Sequence, residues 1–299
     1  ILSKMNSAKY RGRLAPSPTG YLHLGHAKTF WTAQWRARQN GGDLILRNDD
    51  LDAARCKPEF VAAMLEDLRW FGFEWSEGPD VGGPFAPYNQ SERMEFYRET
   101  LEKLRAGNFI YPCTCSRKDI QQSASAPHAE DDEPIYSGKC RPSSEFGARN
   151  AEHKMDDAQI FNSALRIPKS AFSWRFKIPD GETISFHDEN FGEQKFVAGK
   201  DFGDFVVWRH DDVPAYQLAC VADDSAMQIT EVVRGADLLT STARQILLYR
   251  ALHLPSPKFF HCELMPDENG KRLAKRHDAL SLRWLRERGE SPEKLRQNW

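Results

Sequence analysis

The chain has 299 residues and a formal net charge of −2, with 40% hydrophobic and 28% charged residues. That make-up suits one large α/β domain carrying an insertion, or two modest domains, and it excludes a disordered polyelectrolyte or a uniformly basic trap for nucleic acid. No apolar run approaches the ~20 residues that span a bilayer, and the opening Ile-Leu-Ser-Lys is too short for a signal-peptide core, so a cytoplasmic protein is expected.

Residues 10–15 read as a short strand that stops at Pro16-Ser17-Pro18-Thr19-Gly20, a stiff extended loop. A helix is expected over 26–40, closed by Gly41-Gly42, and a buried strand over 43–47. This strand–loop–helix–strand order is a βαβ unit and implies a parallel sheet. Amphipathic helices follow over 58–71 and 91–106. Residues 121–162 are rich in Ser, Ala, Asp, Glu and Pro, a long stretch of the kind that is functional or partly disordered. Alternating apolar residues over 172–191, around Pro179-Asp180-Gly181, predict a hairpin. A short strand over 205–208, a helix over 215–221, a strand over 229–233 and a helix over 241–252 capped by Ser or Thr complete the elements. From Lys271 onward nine Lys/Arg face four Asp/Glu, a net of +5 that leaves −7 elsewhere. By itself that is a solvated basic helix; beside a phosphate backbone it would be a local docking face.

The first chemical constellation runs from Arg13 through Pro16-Ser17-Pro18-Thr19-Gly20 to His23-Leu24-Gly25-His26. A stiff loop feeding a helix N-terminus gathers backbone N–H groups where an anion is stabilised. Histidines at i and i+3 project to one side and can meet phosphate oxygens, while Gly25 leaves room for a flat group such as adenine. A bare His-x-Gly-His would read as two polar residues at a helix start; the proline-rich loop before it changes the balance. A second constellation, Glu268-Asn269-Gly270 followed by Lys271-Arg272-Leu273-Ala274-Lys275-Arg276-His277, is a hinge carrying a basic loop whose Lys275 could swing onto a transferring phosphoryl group. The third is Cys113-Thr114-Cys115 with Tyr136 and Cys140; three thiolates and one further donor suit tetrahedral zinc, while Cys-x-Cys alone could be two core thiols. The remaining Cys56, Cys220 and Cys262 stand singly, as small core residues do.

These stretches resemble the signature islands of class I glutamyl-tRNA synthetases. His23-Leu24-Gly25-His26 matches the "HIGH" motif and the 270–277 loop the "KMSKS" motif, with Arg272 and Ala274 as departures. Leu44-Ile45-Leu46-Arg47, Asp49-Asp50-Leu51-Asp52, the stretch 216–224 and Val232-Val233-Arg234-Gly235-Ala236-Asp237 lie between them in family order. The resemblance implies a Rossmann-like parallel sheet over 9–97 and 213–266, an inserted zinc-binding subdomain over 98–212, and a "KMSKS"-like loop with a short helical tail over 267–299. It implies catalytic roles for His23, His26 and Lys275, and ATP contacts from His23, Gly25, His26, Asp237 and Lys275, with Mg²⁺ accompanying the nucleotide. Glutamate would meet Arg13, Ala15, Ser17, Asp49, Tyr216 and Arg234. An arginine fork suits a carboxylate and not an amide, and Asp49, where Glu is usual, would hold the α-ammonium. Cys220 stands where longer enzymes commonly have Asn. Taken singly, Arg13 and Arg234 read equally as halves of structural ion pairs.

Only 22 residues follow the 270–277 loop and its histidine. The chain is therefore similar to the short glutamyl-queuosine tRNA(Asp) synthetases, which glutamylate queuosine in the anticodon and whose Tyr ligand, four residues before the last Cys, matches Tyr136. His128 is the rival fourth ligand for Zn²⁺. Two other readings share these residues: a truncated glutamyl-tRNA synthetase charging tRNA(Glu), and a non-catalytic tRNA-binding paralogue.

Overall fold

The computed structural model describes residues 9–116, 135–142, 172–265, 281–297 and 299. β1 (Arg11–Leu14) pairs in parallel with β2 (Asp43–Leu46), and α1 (Leu24–Gln39) crosses between them, as the βαβ reading requires. Ala27, Ala33 and Ala37 form the buried stripe of α1, and their small side chains let the helix lie close to the sheet. The return to β2 is tight: a Cβ at Gly42 would stand 2.4 Å from the carbonyl oxygen of Tyr10. Glycine is required there by space.

α2 (Pro58–Phe71) has Pro at its start and ends on Gly72 with φ 93°, a left-handed cap. α3 (Met94–Ala106) follows a single 3₁₀ turn. After an antiparallel sheet in the order β3 (Ile110–Cys113), β4 (Ser173–Phe176), β7 (Phe205–Trp208), the chain forms α4 (Tyr216–Ala226) and re-enters the parallel layer. β8 (Glu231–Gly235) and β9 (Lys258–Cys262) pair in parallel, joined by α5 (Leu239–Ala251). β8 also borders β1, since Thr230 N–H donates to the Arg11 carbonyl at 2.9 Å and Arg11 N–H to Thr230 Oγ1 at 2.9 Å. The layer thus runs β2, β1, β8, β9. One core joins α3, α4 and α5 to β8 and β9 through Tyr97, Leu218 and Leu248; a second holds α1 and α2 against β1 and β2 through Leu14, Leu46 and Phe71.

Two local expectations are corrected. The hairpin is not at Pro179-Asp180-Gly181: that turn links β4 to β5 (Thr183–Asp188), which belong to different sheets. β5 instead pairs with β6 (Gly192–Val197), and Asp188 sets the turn by accepting from the N–H groups of Asn190 and Phe191. The same Asp188 lies opposite Phe259 and joins the hairpin to β9, a strand without a clear signal in the sequence. Finally, α5 has no Ser or Thr cap; it continues from a 3₁₀ turn, Ala236–Leu238, and Ser241 and Thr242 are buried inside it.

α6 (Leu282–Glu287) begins on Ser281, whose Oγ accepts from Trp284 N–H, and α7 (Pro292–Arg296) follows. Leu282 N–H donates to the Leu22 carbonyl at 2.7 Å, which fastens this tail beside the histidine-bearing loop. Among the described residues no helix is long and apolar enough to cross a membrane.

Candidate active site and metal-binding cluster

A cleft of about 380 Å³ opens at the C-terminal ends of β1, β2 and β8, where a doubly wound sheet receives ligands. It is lined by Arg13, Ala15, Ser17, His23, Gly25, His26, Asp49, Tyr216, Arg234 and Asp237, so every candidate substrate or nucleotide residue within the described regions converges on it. Lys275, with the whole 266–280 segment, lies outside the described residues.

His23 is the N-cap of α1. Its Nδ1 accepts from Gly25 N–H at 3.1 Å, and His26 Nδ1 accepts from His23 N–H at 3.3 Å, a reciprocal capping pair built from imidazoles. The rings stack with centroids 3.7 Å apart. With both Nδ1 atoms accepting, the neutral rings carry their protons on Nε2, the arrangement that can donate to a phosphate oxygen. The space Gly25 leaves is used by the His23 ring, which a Cβ would approach to 3.0 Å.

One side of the cleft is a dense ion-pair network. Arg47, fully buried, donates from Nε to Asp49 at 2.6 Å and from Nη1 to Asp224 at 2.6 Å, and its Nε lies 3.6 Å from Asp223. Arg13 joins through Nε to Asp224 at 3.3 Å and Nη1 to the Val233 carbonyl at 3.1 Å. Burial works most strongly against the Arg13 charge, but Asp224 together with Cys220 and Tyr216 offsets it, and the guanidinium lies above its ordinary range. Burial also lifts Asp49 to about 6, against the opposing pull of Arg47. Arg13 is thus an ion-pair partner as well as a cleft residue.

The opposite side is different. Arg234, 5% exposed, donates from Nη2 to Thr242 Oγ1 at 2.6 Å, from Nη1 to Gln245 Oε1 at 2.8 Å and to Tyr216 Oη at 3.4 Å, and from Nε to His261 Nε2 at 3.2 Å. All these acceptors are neutral, and among the described residues Arg234 forms no ion pair. His261 is held neutral: burial and then Arg234 push its pKa down to about 4, although Asp188 opposes them. Its Nδ1 donates to Asp188 Oδ2 at 2.6 Å. Arg234 and Tyr216 were legible in the sequence, whereas Thr242, Gln245, His261 and Asp188 were not, because no spacing links β5, α5 and β9.

At the cysteine cluster, the sulfurs of Cys113, Cys115 and Cys140 lie within 4.8 Å of one another. Tyr136 Oη sits 3.4 Å from Cys113 Sγ and 3.6 Å from Cys115 Sγ, and it accepts from Cys140 N–H at 2.8 Å. Burial raises the Cys140 thiol, but hydrogen bonds led by that of Tyr136 outweigh it and bring it down to about 6. Burial and then the sulfur neighbours raise Tyr136; a dication among them would reverse that preference. Three thiols with one oxygen facing a common centre fit a tetrahedral metal site. Arg175, unanticipated, donates from Nε to Cys113 Sγ at 3.3 Å and lies 4.2 Å over the Tyr136 ring, a cation placed to offset thiolate charge. His128 lies outside the described residues.

The family of class I tRNA synthetases (E and Q), catalytic domain, matches residues 9–298. The chain belongs to that family. As a member of it, the chain is 49% identical over 285 residues to the glutamyl-Q tRNA(Asp) synthetase of Symbiobacterium thermophilum, covering 94% of this chain and 83% of that one. It is 44% identical to the protein of the same name from Nitratidesulfovibrio vulgaris, covering 93% and 82%. Similarity to glutamate–tRNA ligase 2 of Nitrosococcus oceani is 40% over 97% of this chain but 58% of that one. The glutamate-tRNA synthetase structure from Elizabethkingia anophelis superposes with a TM-score of 0.72 at 32% identity, over 90% of this chain and 53% of the other. The class I synthetase fold, a mixed α/β architecture with a parallel sheet, is therefore the fold of this protein.

Proposed function

We propose that the protein activates glutamate with ATP and transfers the glutamyl group to queuosine in the anticodon of tRNA(Asp). The observation that carries the substrate reading is Arg234, a buried guanidinium at the cleft wall surrounded by neutral acceptors. A cation in that setting is left with uncompensated charge, which a γ-carboxylate would neutralise and an amide would not. The acceptor reading rests on the likeness to the two glutamyl-Q tRNA(Asp) synthetases, which holds over more than four-fifths of their length.

In this reading the γ-carboxylate of glutamate faces Arg234 and the hydroxyl of Tyr216, and the ammonium faces Asp49. Arg13, Ala15 and Ser17 form the floor. The α-carboxylate then attacks the α-phosphorus of ATP in line, and pyrophosphate leaves. His23 and His26 donate from Nε2 to the phosphate oxygens, while Gly25 and Asp237 border the nucleotide and Lys275 supplies positive charge. These residues position and neutralise, as phosphoryl chemistry of this type demands. Mg²⁺ would accompany ATP and neutralise its phosphates. Zn²⁺ would be held by Cys113, Cys115, Cys140 and Tyr136, where it would supply structural rigidity to the insertion over 98–212.

Glutamate-dependent ATP–pyrophosphate exchange without tRNA, followed by glutamyl transfer to tRNA(Asp) with and without queuosine, tests the proposal. Exchange that requires tRNA(Glu), or transfer indifferent to queuosine, would overturn it.

A further inference from the structure

Arg234 reaches the cleft from a buried strand, and its nearest partners come from two other elements, β9 and α5. Its Nε–H donates to His261 Nε2 of β9 at 3.2 Å and its Nη2 to Thr242 of α5 at 2.6 Å; Thr242 Oγ1 and His261 Nε2 are themselves 3.1 Å apart. The Nε/Nη2 edge of the guanidinium is therefore occupied by protein. Gln245, at 2.8 Å, fixes Nη1 from one side.

An imidazole can accept from Arg234 only if its proton is on the other nitrogen. Asp188 enforces this. Both Asp188 and His261 are fully buried, and Asp188 Oδ2 lies 2.6 Å from His261 Nδ1. Asp188 is in turn anchored by three backbone N–H groups, those of Asn190, Phe191 and His261. The carboxylate is thus fixed by the turn of the β5–β6 hairpin and has one side-chain task, to take the Nδ1 proton.

We infer that Asp188 and His261 are positioning residues: they lock the imidazole as an Nε2 acceptor so that Arg234 presents its remaining N–H groups to the substrate carboxylate. The inference rests on the glutamate reading above and extends it to an acid–imidazole–guanidinium line running from the inserted hairpin to the amino-acid pocket. It assigns Asp188 a role in selecting acidic over amide substrates. The logic matches that of a buried carboxylate setting a histidine tautomer elsewhere in enzymology.

Asp188→Asn is the direct test. Its carboxamide oxygen can satisfy the turn N–H groups, while its NH₂ faces Nδ1 and drives the proton to Nε2, against Arg234. In glutamate-dependent exchange the KM for glutamate should rise about tenfold or more, as loss of a hydrogen bond to a charged group implies, with the KM for ATP within about twofold. His261→Gln, which retains an acceptor, should lie closer to wild type than His261→Phe. A merely structural role would lower active fraction and melting temperature and leave the KM for glutamate unchanged; that result in Asp188→Asn, beside an active wild type, overturns the inference alone. A wild type without glutamate-dependent exchange overturns the substrate reading and the inference with it. Should Asp188→Asn not fold, ¹⁵N NMR of wild-type imidazoles decides: Nδ1 protonated and Nε2 bare is expected for His261, and a protonated Nε2 refutes the lock.

Discussion

The two walls of the cleft contain buried arginines of opposite standing. On the β1–β2 side, Arg13, Arg47 and Arg93 meet Asp49, Asp223 and Asp224, and charge is balanced within the protein. On the β8 side Arg234 meets hydroxyl, amide and imidazole acceptors. Burial is the same, with Arg13 and Arg234 each 5% exposed, so exposure does not separate them. What separates them is the sign of the partners. A balanced network belongs to the apoprotein, whereas a buried cation with neutral partners has electrostatic capacity left for a ligand.

The strongest way to break this comparison is to remove one arginine from each wall. Arg47→Met leaves Asp49, Asp223 and Asp224 short of their shared cation, and unfolding free energy in urea should fall by about 3–5 kcal/mol, the cost of breaking a buried pair. Arg234→Leu strands no carboxylate but leaves the buried acceptors of Gln245 and His261 unpaired, so its loss in urea unfolding should be the smaller, about 1–3 kcal/mol. Its kcat/KM for glutamate should fall about 10²–10³-fold, the loss expected for a desolvated charge pair with substrate. If Arg234→Leu proves the less stable of the two, the distinction between the walls is wrong.

How much of this was legible beforehand follows the same division. The proline loop, the histidine pair and the parallel βαβ order are local, so the sequence carried them. Arg13 and Arg234 were picked out on equal terms, because neither position discloses that Asp224 faces one and Thr242, Gln245 and His261 the other. Those partners come from α4, α5 and β9, brought together only by the fold. The misplaced hairpin has a related cause. Alternation of apolar residues continues through Pro179-Asp180-Gly181, a genuine turn in which Glu182 N–H donates to the Pro179 carbonyl, but local pattern does not say which sheet each flanking strand joins. Asp188, which no local pattern singles out, ties the true hairpin to the pocket.

A milder test uses pH on the balanced wall. Burial lifts Asp49 from 3.8 to about 6, ahead of the opposing Arg47 contribution. Ionisation of Asp49 is therefore costly to the fold, yet its carboxylate is the form that can hold an ammonium. The kcat/KM for glutamate should fall as pH drops through about 6, since this parameter reports free-enzyme ionisations. Asp49→Asn should remove that inflection and raise the KM for glutamate about tenfold. An unaltered acid limb in the variant would assign the ionisation to another group.

The smallest effect asks whether the rule holds for an acid far from any cleft. Asp67 on α2 is fully buried, neither of its oxygens has a hydrogen-bond partner among the described residues, and Arg286 of α6 lies 3.2 Å away as an ion-pair partner. Burial, opposed by Arg286, lifts its pKa from 3.8 to about 6. Because the folded value exceeds the unfolded one, the native state holds the extra proton between roughly pH 4 and 6, and stability falls as pH rises through that window. Above it the whole penalty is present. Asp67→Asn should therefore melt about 1–3 °C above wild type at pH 8 and level with it near pH 4. Were the variant to melt lower at pH 8, the Arg286 pair would outweigh the missing hydrogen bonds. A buried charge short of partners would then no longer mark unspent electrostatic capacity, and Arg234 would lose that support as a ligand site.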